Sequence, residues 1–252
     1  MVLKNITAFL IDLDGVVYIG DAPVEGAAET VNFLMKKYRC LFATNTTRTT
    51  GKSIAAKLRK FGISAKDEDV LTALSVAIGY IKSSGKSCYV IGSDETKNEF
   101  VRNGLEPDDK NPGFVVVGYD KNLNYDILNR AFRFIMGGAN LVAMNMDRFA
   151  PFEDGLAISV GAFVKALEYA TGKNAIRIGK PDEKFFRAAL GILKSKPEET
   201  AIIGDNIEND IAGAQRIGIK GILVKNKFYK EGKTEEKPYL VMDSITKLKA
   251  LV

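Results

Sequence analysis

A chain of 252 residues, 46% hydrophobic and with a formal charge of +5, can fill one large domain or two modest ones and is neither disordered nor fibrous in composition. It contains no histidine, which excludes Ser-His-Asp triads, Cys-His pairs, histidine phosphatases and imidazole-bound zinc together, so any chemistry rests on carboxylates, lysine and hydroxyls. No apolar run approaches the ~20 residues of a membrane span and Met1–Leu10 lacks a cleavable leader pattern, so a cytoplasmic protein without a membrane partner is expected.

Taken in chain order, Ile6–Ile11 reads as a strand, Ala27–Lys37 as a helix, Cys40–Ala43 as a strand and Lys52–Phe61 as a helix. Further strands are expected at Cys88–Ile91, Phe114–Val117 and Leu141–Ala143, with a helix over Asn124–Ile135. The opening rhythm returns with helix Phe185–Ile192, strand Ala201–Ile203, helix Asp210–Ile217 and strand Gly221–Val224. Such alternation predicts an α/β fold with a doubly wound parallel sheet. The two ends of the chain, 1–75 and 177–252, form one core, and 76–176 is large enough to be a smaller inserted α/β domain. Lys225–Lys237, rich in Lys, Glu and Gly, reads as a mobile solvated loop.

Several chemistries are excluded by what is missing. Cys40 and Cys88 sit in apolar strands and read as buried free thiols, and Thr46 and Asp94 stand where a cysteine phosphatase would need arginine. The GKS and GKT triplets at 51, 85 and 232 lack the upstream glycine of a phosphate-cradling loop. Lysines are scattered over amphipathic segments without interleaved aromatics, so no nucleic-acid partner is expected.

Four strand ends carry reactive residue types. Asp12-Leu13-Asp14-Gly15 follows the first strand, and two carboxylates one residue apart can divide labour between attack on phosphorus and proton transfer, although an Asp-Gly turn would look the same. Thr44-Asn45 ends the second strand, where a hydroxyl and following N–H groups can hold phosphate oxygens or simply cap a helix. Lys180, in Gly179-Lys180-Pro181, can offset phosphoryl charge or lie in solvent. In Gly204-Asp205-Asn206-Ile207-Glu208-Asn209-Asp210, Asp205 can bind a hard cation and Asp210 can orient Lys180 or a metal-bound water, where the plainer alternative is a turn and an N-cap.

Together these four motifs resemble the haloacid dehalogenase superfamily, and the stretches Phe114–Asp120, Asn145-Met146-Asp147, Pro151–Gly155 and Gly179–Pro181 resemble its 4-nitrophenylphosphatase, or NagD-like, branch with a type II cap. Two departures stand out: Ser159-Val160-Gly161-Ala162 lacks the branch's usual proline and first glycine, and Asn209 replaces a common threonine. The resemblance implies magnesium-dependent hydrolysis of small phosphate monoesters through an aspartyl-phosphate. Asp12 would be the nucleophile, Asp14 the general acid/base, and Thr44, Asn45 and Lys180 the phosphate contacts. Asp12, the Asp14 backbone carbonyl and Asp205 would hold Mg2+, with Asp210 behind them and Asn145 and Asp147 as cap contacts to substrate. The implied partner is a small phosphorylated metabolite, and members of the branch commonly form homodimers through the cap. A phosphotransferase or phosphomutase using the same aspartyl-phosphate is the alternative enzyme. A phospho-accepting receiver-like or phosphometabolite-binding module is the alternative from another class, disfavoured by the motif order and by the retention of both Asp12 and Asp14.

Overall fold

The structure, a computed structural model, describes residues 3–152, 155–225 and 236–252. Strand β1 (Ala8–Ile11) leads through the short β2 (Tyr18–Ile19) and β3 (Ala22–Pro23) to helix α1 (Ala27–Lys37), then β4 (Arg39–Thr44), α2 (Gly51–Lys60) and β5 (Val70–Thr72). There follow α3 (Ala73–Ser84), β6 (Cys88–Ile91), α4 (Asp94–Arg102), β7 (Phe114–Val117), α5 (Tyr125–Met136) and β8 (Asn140–Ala143). Next come β9 (Phe149–Phe152), β10 (Gly155–Ile158), α6 (Val160–Thr171), β11 (Ile176–Arg177) and α7 (Glu183–Leu193). The last elements are β12 (Thr200–Gly204), a π-helical stretch Ile207–Ala212 running into the short α8 (Gly213–Gln215), β13 (Lys220–Val224) and β14 (Leu240–Met242).

The chain divides into two compact units: Met1–Thr44, Gly51–Leu71 and Lys180–Val252 make the first, and Asn45–Thr50 and Thr72–Gly179 the second. The first is built on a six-stranded sheet ordered β14-β13-β12-β1-β4-β5. β1 lies inside it, parallel to β4 (Ile11 opposite Phe42) and to β12 (Ile11 opposite Ile203). Because the chain leaves β1 toward one edge and returns on its other side, the order reverses at β1 and β12, and the carboxyl ends of these strands open the crevice where α/β sheets hold ligands. β1 is buried along its length: Phe9 and Ile11 face a cluster with Val31, Leu34, Phe42, Ile54 and Leu58. Burying one such side chain is worth roughly 1.5–3 kcal/mol, so the strand that precedes Asp12 is firmly fixed. α1 buries Ala27, Thr30, Val31 and Leu34, the spacing of a single helix face.

The second unit has a parallel sheet ordered β11-β8-β7-β6, with Val115, Val117, Leu141 and Ala143 packed on Ala131 and Ile135 of α5 and Val164 and Leu167 of α6. β9 and β10 form a separate antiparallel pair.

The structure shifts the boundaries expected from the sequence. Thr72 already belongs to the second unit because it caps α3, its side chain accepting from Ser75 N. Asn45–Thr50, assigned by pattern to the core, joins the second unit through long-range bonds: Thr96 Oγ1 donates to Thr47 O (2.7 Å), Tyr119 N to Thr47 Oγ1 (2.9 Å), and Thr49 Oγ1 and Thr50 N to Glu95 Oε1 (2.9 and 3.2 Å). The helix expected at Asp210–Ile217 begins earlier and opens as the π-helical stretch. Of the loop Lys225–Lys237, residues 226–235 lie outside the described residues, as do Glu153 and Asp154 of the Pro151–Gly155 motif. Among the described residues no helix is long and apolar enough to cross a membrane.

Candidate active site

Asp12 is the first residue past β1, with its N–H donating to Ile203 O of β12 at 2.8 Å. The residue is 7% exposed. The chain then turns back: Val17 N donates to Leu13 O (2.9 Å) and Gly15 N to Tyr18 O (2.8 Å). Gly15 has φ 81°, a conformation that favours glycine, so this residue lets the turn close directly behind Asp14. Asp14 itself is exposed. Thr44 ends β4 and is buried, two steps past the residue that pairs with Ile11.

Lys180 is 4% exposed, far from the solvated lysine that its position before a proline would suggest. Its Nζ donates to Asp12 Oδ1 (2.6 Å), Asp210 Oδ1 (2.6 Å) and Ala43 O (3.1 Å), which matches the three hydrogens of an ammonium to three acceptors. Asp210 is 1% exposed, and its second oxygen, Oδ2, accepts from Asn206 N at 3.1 Å. Asn206 in turn caps the π-helical stretch, its side chain accepting from Glu208 N and Asn209 N. Asp205 follows β12, and carboxylate oxygens of Asp12, Asp205 and Asp210 lie within 4.8 Å of one another.

The charges explain the titration of the site. Burial pushes the Asp12 carboxyl well above its ordinary value; Lys180 pulls it down, and Asp210 and then Asp205 push it up. Burial would lower the Lys180 ammonium, but Asp12 and Asp210 outweigh it and hold Lys180 above the ordinary lysine range. Lys180 therefore stays charged through the neutral range. Three crowded carboxylates face one ammonium, a deficit of two positive charges that suits a divalent cation with oxygen ligands. Both oxygens of Asp210 are engaged, Oδ1 by Lys180 and Oδ2 by Asn206 N.

Thus Asp12, Lys180, Asp205 and Asp210 converge, while Asp14 lies in the turn after β1 and Thr44 at the end of the neighbouring β4. Asn145 and Asp147 follow β8 in the second unit. Asn145 is 6% exposed and its amide is spent on backbone: Nδ2 donates to Asn45 O (3.0 Å) and Oδ1 accepts from Asp147 N (3.2 Å). Both ends of the carboxamide are thus bonded to backbone within the second unit. Two contributors carry little local signal. The Ala43 carbonyl is one. Gly204 is the other: a Cβ there would fall 2.4 Å from Asp210 Cβ and 2.5 Å from its Oδ2, so glycine makes the room for Asp210. A glycine ending an apolar strand is the available hint of such a close approach. The two thiols are free and inert, Cys40 pushed up to about 12 by burial and then Asp69, and Cys88 to about 11 by burial and then Asp108.

Comparison with known proteins bears on the whole chain. Residues 9–106 match a family model described as haloacid dehalogenase-like hydrolase, and residues 177–248 match a second, described as HAD-hydrolase-like. The chain is 37% identical over 246 residues to the haloacid dehalogenase-like hydrolase domain-containing protein 2 of Mus musculus, covering 96% of this chain and 93% of that protein. It is 34% identical over 250 residues to the 5'-nucleotidase YutF of Bacillus subtilis (strain 168), covering 97% and 98%. Among solved structures, the p-nitrophenyl phosphatase from Archaeoglobus fulgidus superposes with a TM-score of 0.91 at 25% identity, covering 98% of this chain and 99% of that one.

Proposed function

The chain belongs to the haloacid dehalogenase-like hydrolases, in their 4-nitrophenylphosphatase branch, and we propose that this phosphatase hydrolyses small phosphate monoesters with a bound magnesium ion and through a phosphate bonded to Asp12. One observation carries the reading. At the switch point of the sheet, Lys180 donates to Asp12 Oδ1 and to Asp210 Oδ1, so the Asp12 carboxylate is held in one orientation beside a buried ammonium.

In the first step an Asp12 oxygen bonds to phosphorus, the bond from phosphorus to the ester oxygen breaks, and Asp14 gives that oxygen its proton. In the second, Asp14 takes a proton from water as the water attacks phosphorus, which frees inorganic phosphate and restores Asp12. Lys180 offsets the charge that builds on the phosphoryl oxygens, and Thr44 with the N–H groups that follow it binds those oxygens alike in substrate, transition state and product. Asp210 keeps Lys180 aimed. Asp12, Asp205 and the Asp14 carbonyl would hold magnesium, whose charge offsets the repulsion between the carboxylates and the phosphate dianion.

A small phosphorylated metabolite is the substrate this reading implies, and the relative named 5'-nucleotidase places nucleoside monophosphates in the first panel. The test is phosphate release from 4-nitrophenyl phosphate by the purified protein with magnesium, with chelator, and with Asp12→Asn. Magnesium-dependent turnover lost in Asp12→Asn supports the reading. Turnover that survives Asp12→Asn refutes it, and transfer of phosphate to an added alcohol in preference to water replaces it with a phosphotransferase.

A further inference from the structure

Four peptide bonds join the two units, and two of them, Thr44–Asn45 and Gly179–Lys180, border residues assigned above to the phosphoryl group. In the second unit both of these crossings are tied to one short stretch just past β8. Met144 O accepts from Gly179 N at 2.8 Å, and one residue later Asn145 Nδ2 donates to Asn45 O at 3.0 Å. The other end of the carboxamide is committed as well, since Asn145 Oδ1 accepts from Asp147 N at 3.2 Å. The packing leaves no slack: a Cβ on Gly179 would lie 2.5 Å from Met144 O and 2.7 Å from Asn45 Oδ1. Asn145 is buried, so it belongs to the interior of this stretch and not to an open loop.

We propose that Asn145 is a positioning residue: its carboxamide fixes the Asn45 backbone, and through the Thr44–Asn45 peptide it sets Thr44 and the N–H groups beyond it for the phosphoryl group. The inference rests on the phosphate role given to Thr44 above. It separates cleanly from a contact to the substrate's leaving group. The phosphoryl group is common to every monoester and to the product, so a positioning residue affects all of them by one factor, whereas a leaving-group contact affects each substrate differently and inorganic phosphate not at all. A purely structural clip would lower thermal stability and leave affinities unchanged.

The test uses Asn145→Ala, which removes both bonds, and Asn145→Asp, which keeps the size and the acceptor but loses the donor to Asn45 O. KM and kcat are measured for 4-nitrophenyl phosphate and for a nucleoside monophosphate, with the inhibition constant of inorganic phosphate and the melting temperature, all with magnesium present. Expected is a rise of roughly three- to ten-fold in both KM values and in the phosphate constant, by the same factor, the size of one neutral hydrogen bond, with kcat changed far less. A change confined to one substrate, a loss of stability alone, or no change in either variant overturns the proposal. Thr44→Val runs alongside. If it leaves KM and the phosphate constant at wild-type values, the role of Thr44 falls and this proposal with it. If Thr44→Val is weakened beside unaffected Asn145 variants, only the proposal falls.

Discussion

Lys180→Met is the substitution whose cost follows most directly from the geometry. The methionine keeps most of the bulk of the lysine stem, so packing changes little, but Asp12 Oδ1, Asp210 Oδ1 and Ala43 O lose their donor together. Both carboxylates are buried, and removing the partner of a buried ion pair costs roughly 3–5 kcal/mol because an uncompensated charge is left inside. At about 2–4 °C per kcal/mol for a protein of this size, the metal-free variant should melt roughly 6–20 °C below the wild type. Magnesium should then raise the melting temperature of Lys180→Met more than that of the wild type. The cation meets the same carboxylates without a competing ammonium, and saturation at a hundred times the dissociation constant contributes about 2.7 kcal/mol. Turnover should fall by about 10² to 10³, the usual loss for one donor to developing charge. The assay is thermal unfolding in chelator and in a magnesium series, paired with 4-nitrophenyl phosphate turnover. A Lys180→Met protein as stable as wild type in chelator, or with the same magnesium response, would show that the ammonium does not hold these carboxylates against burial.

Asp12→Asn should silence turnover far more completely than Lys180→Met, since it removes the attacking group and not one of its supports; rapid acid quench should trap phosphate on the wild type and none on the variant, and equal activity losses would refute the assignment. In metal-free protein the raised Asp12 carboxyl binds its proton more tightly folded than unfolded, so stability is lost as pH rises from the ordinary 3.8 through the raised value. The difference in urea-unfolding free energy between wild type and Asp12→Asn should therefore grow with pH in chelator and flatten in magnesium, and a difference independent of pH would refute this. Lys180, raised in the folded state, gives stability that is fully present below 10.5 and lost only above it. Gly204→Ala forces a Cβ against Asp210, so it should cost roughly 1–3 kcal/mol and lower kcat by misaiming Lys180; wild-type unfolding and kcat would show that Asp210 has room to move.

The regular elements were legible because their signals are local. Cys88–Ile91, Phe114–Val117 and Ala27–Lys37 have the expected bounds, since unbroken apolar runs and a one-face helical stripe each identify their own structure. Short elements were not. β2, β3 and β11 have two residues each, too few for any period, and α4 begins among charged residues whose capping by Ser93 is visible only from the fold. The start of the helix around Asp210 lies outside a propensity reading because local propensity predicts α-helix, whereas Asp210 is placed by bonds to Lys180 and to Asn206 N that no propensity contains.

The site divides the same way. Asp12, Asp14, Thr44 and Asp205 are candidates from their places at strand ends, but the pairing of Lys180 with Asp12 spans 168 positions, and nothing in Gly179-Lys180-Pro181 announces it. Asn145 reaches Asn45 across 100 positions, and as a lone asparagine after a strand it reads equally as a turn or as a contact to substrate. Of the four crossings between the units, Thr44–Asn45 and Gly179–Lys180 lie just past β4 and β11 and border residues of the proposed site, whereas Leu71–Thr72 lies within β5 and Thr50–Gly51 at the start of α2. Had the insertion hung from β5 and β11 alone, the residues after Thr44 would depend on the first unit only. Because the second unit also binds Asn45–Thr50 through Thr96, Glu95, Tyr119 and Asn145, the proposed phosphate contacts predict that substitutions at those positions alter kinetics without touching substrate.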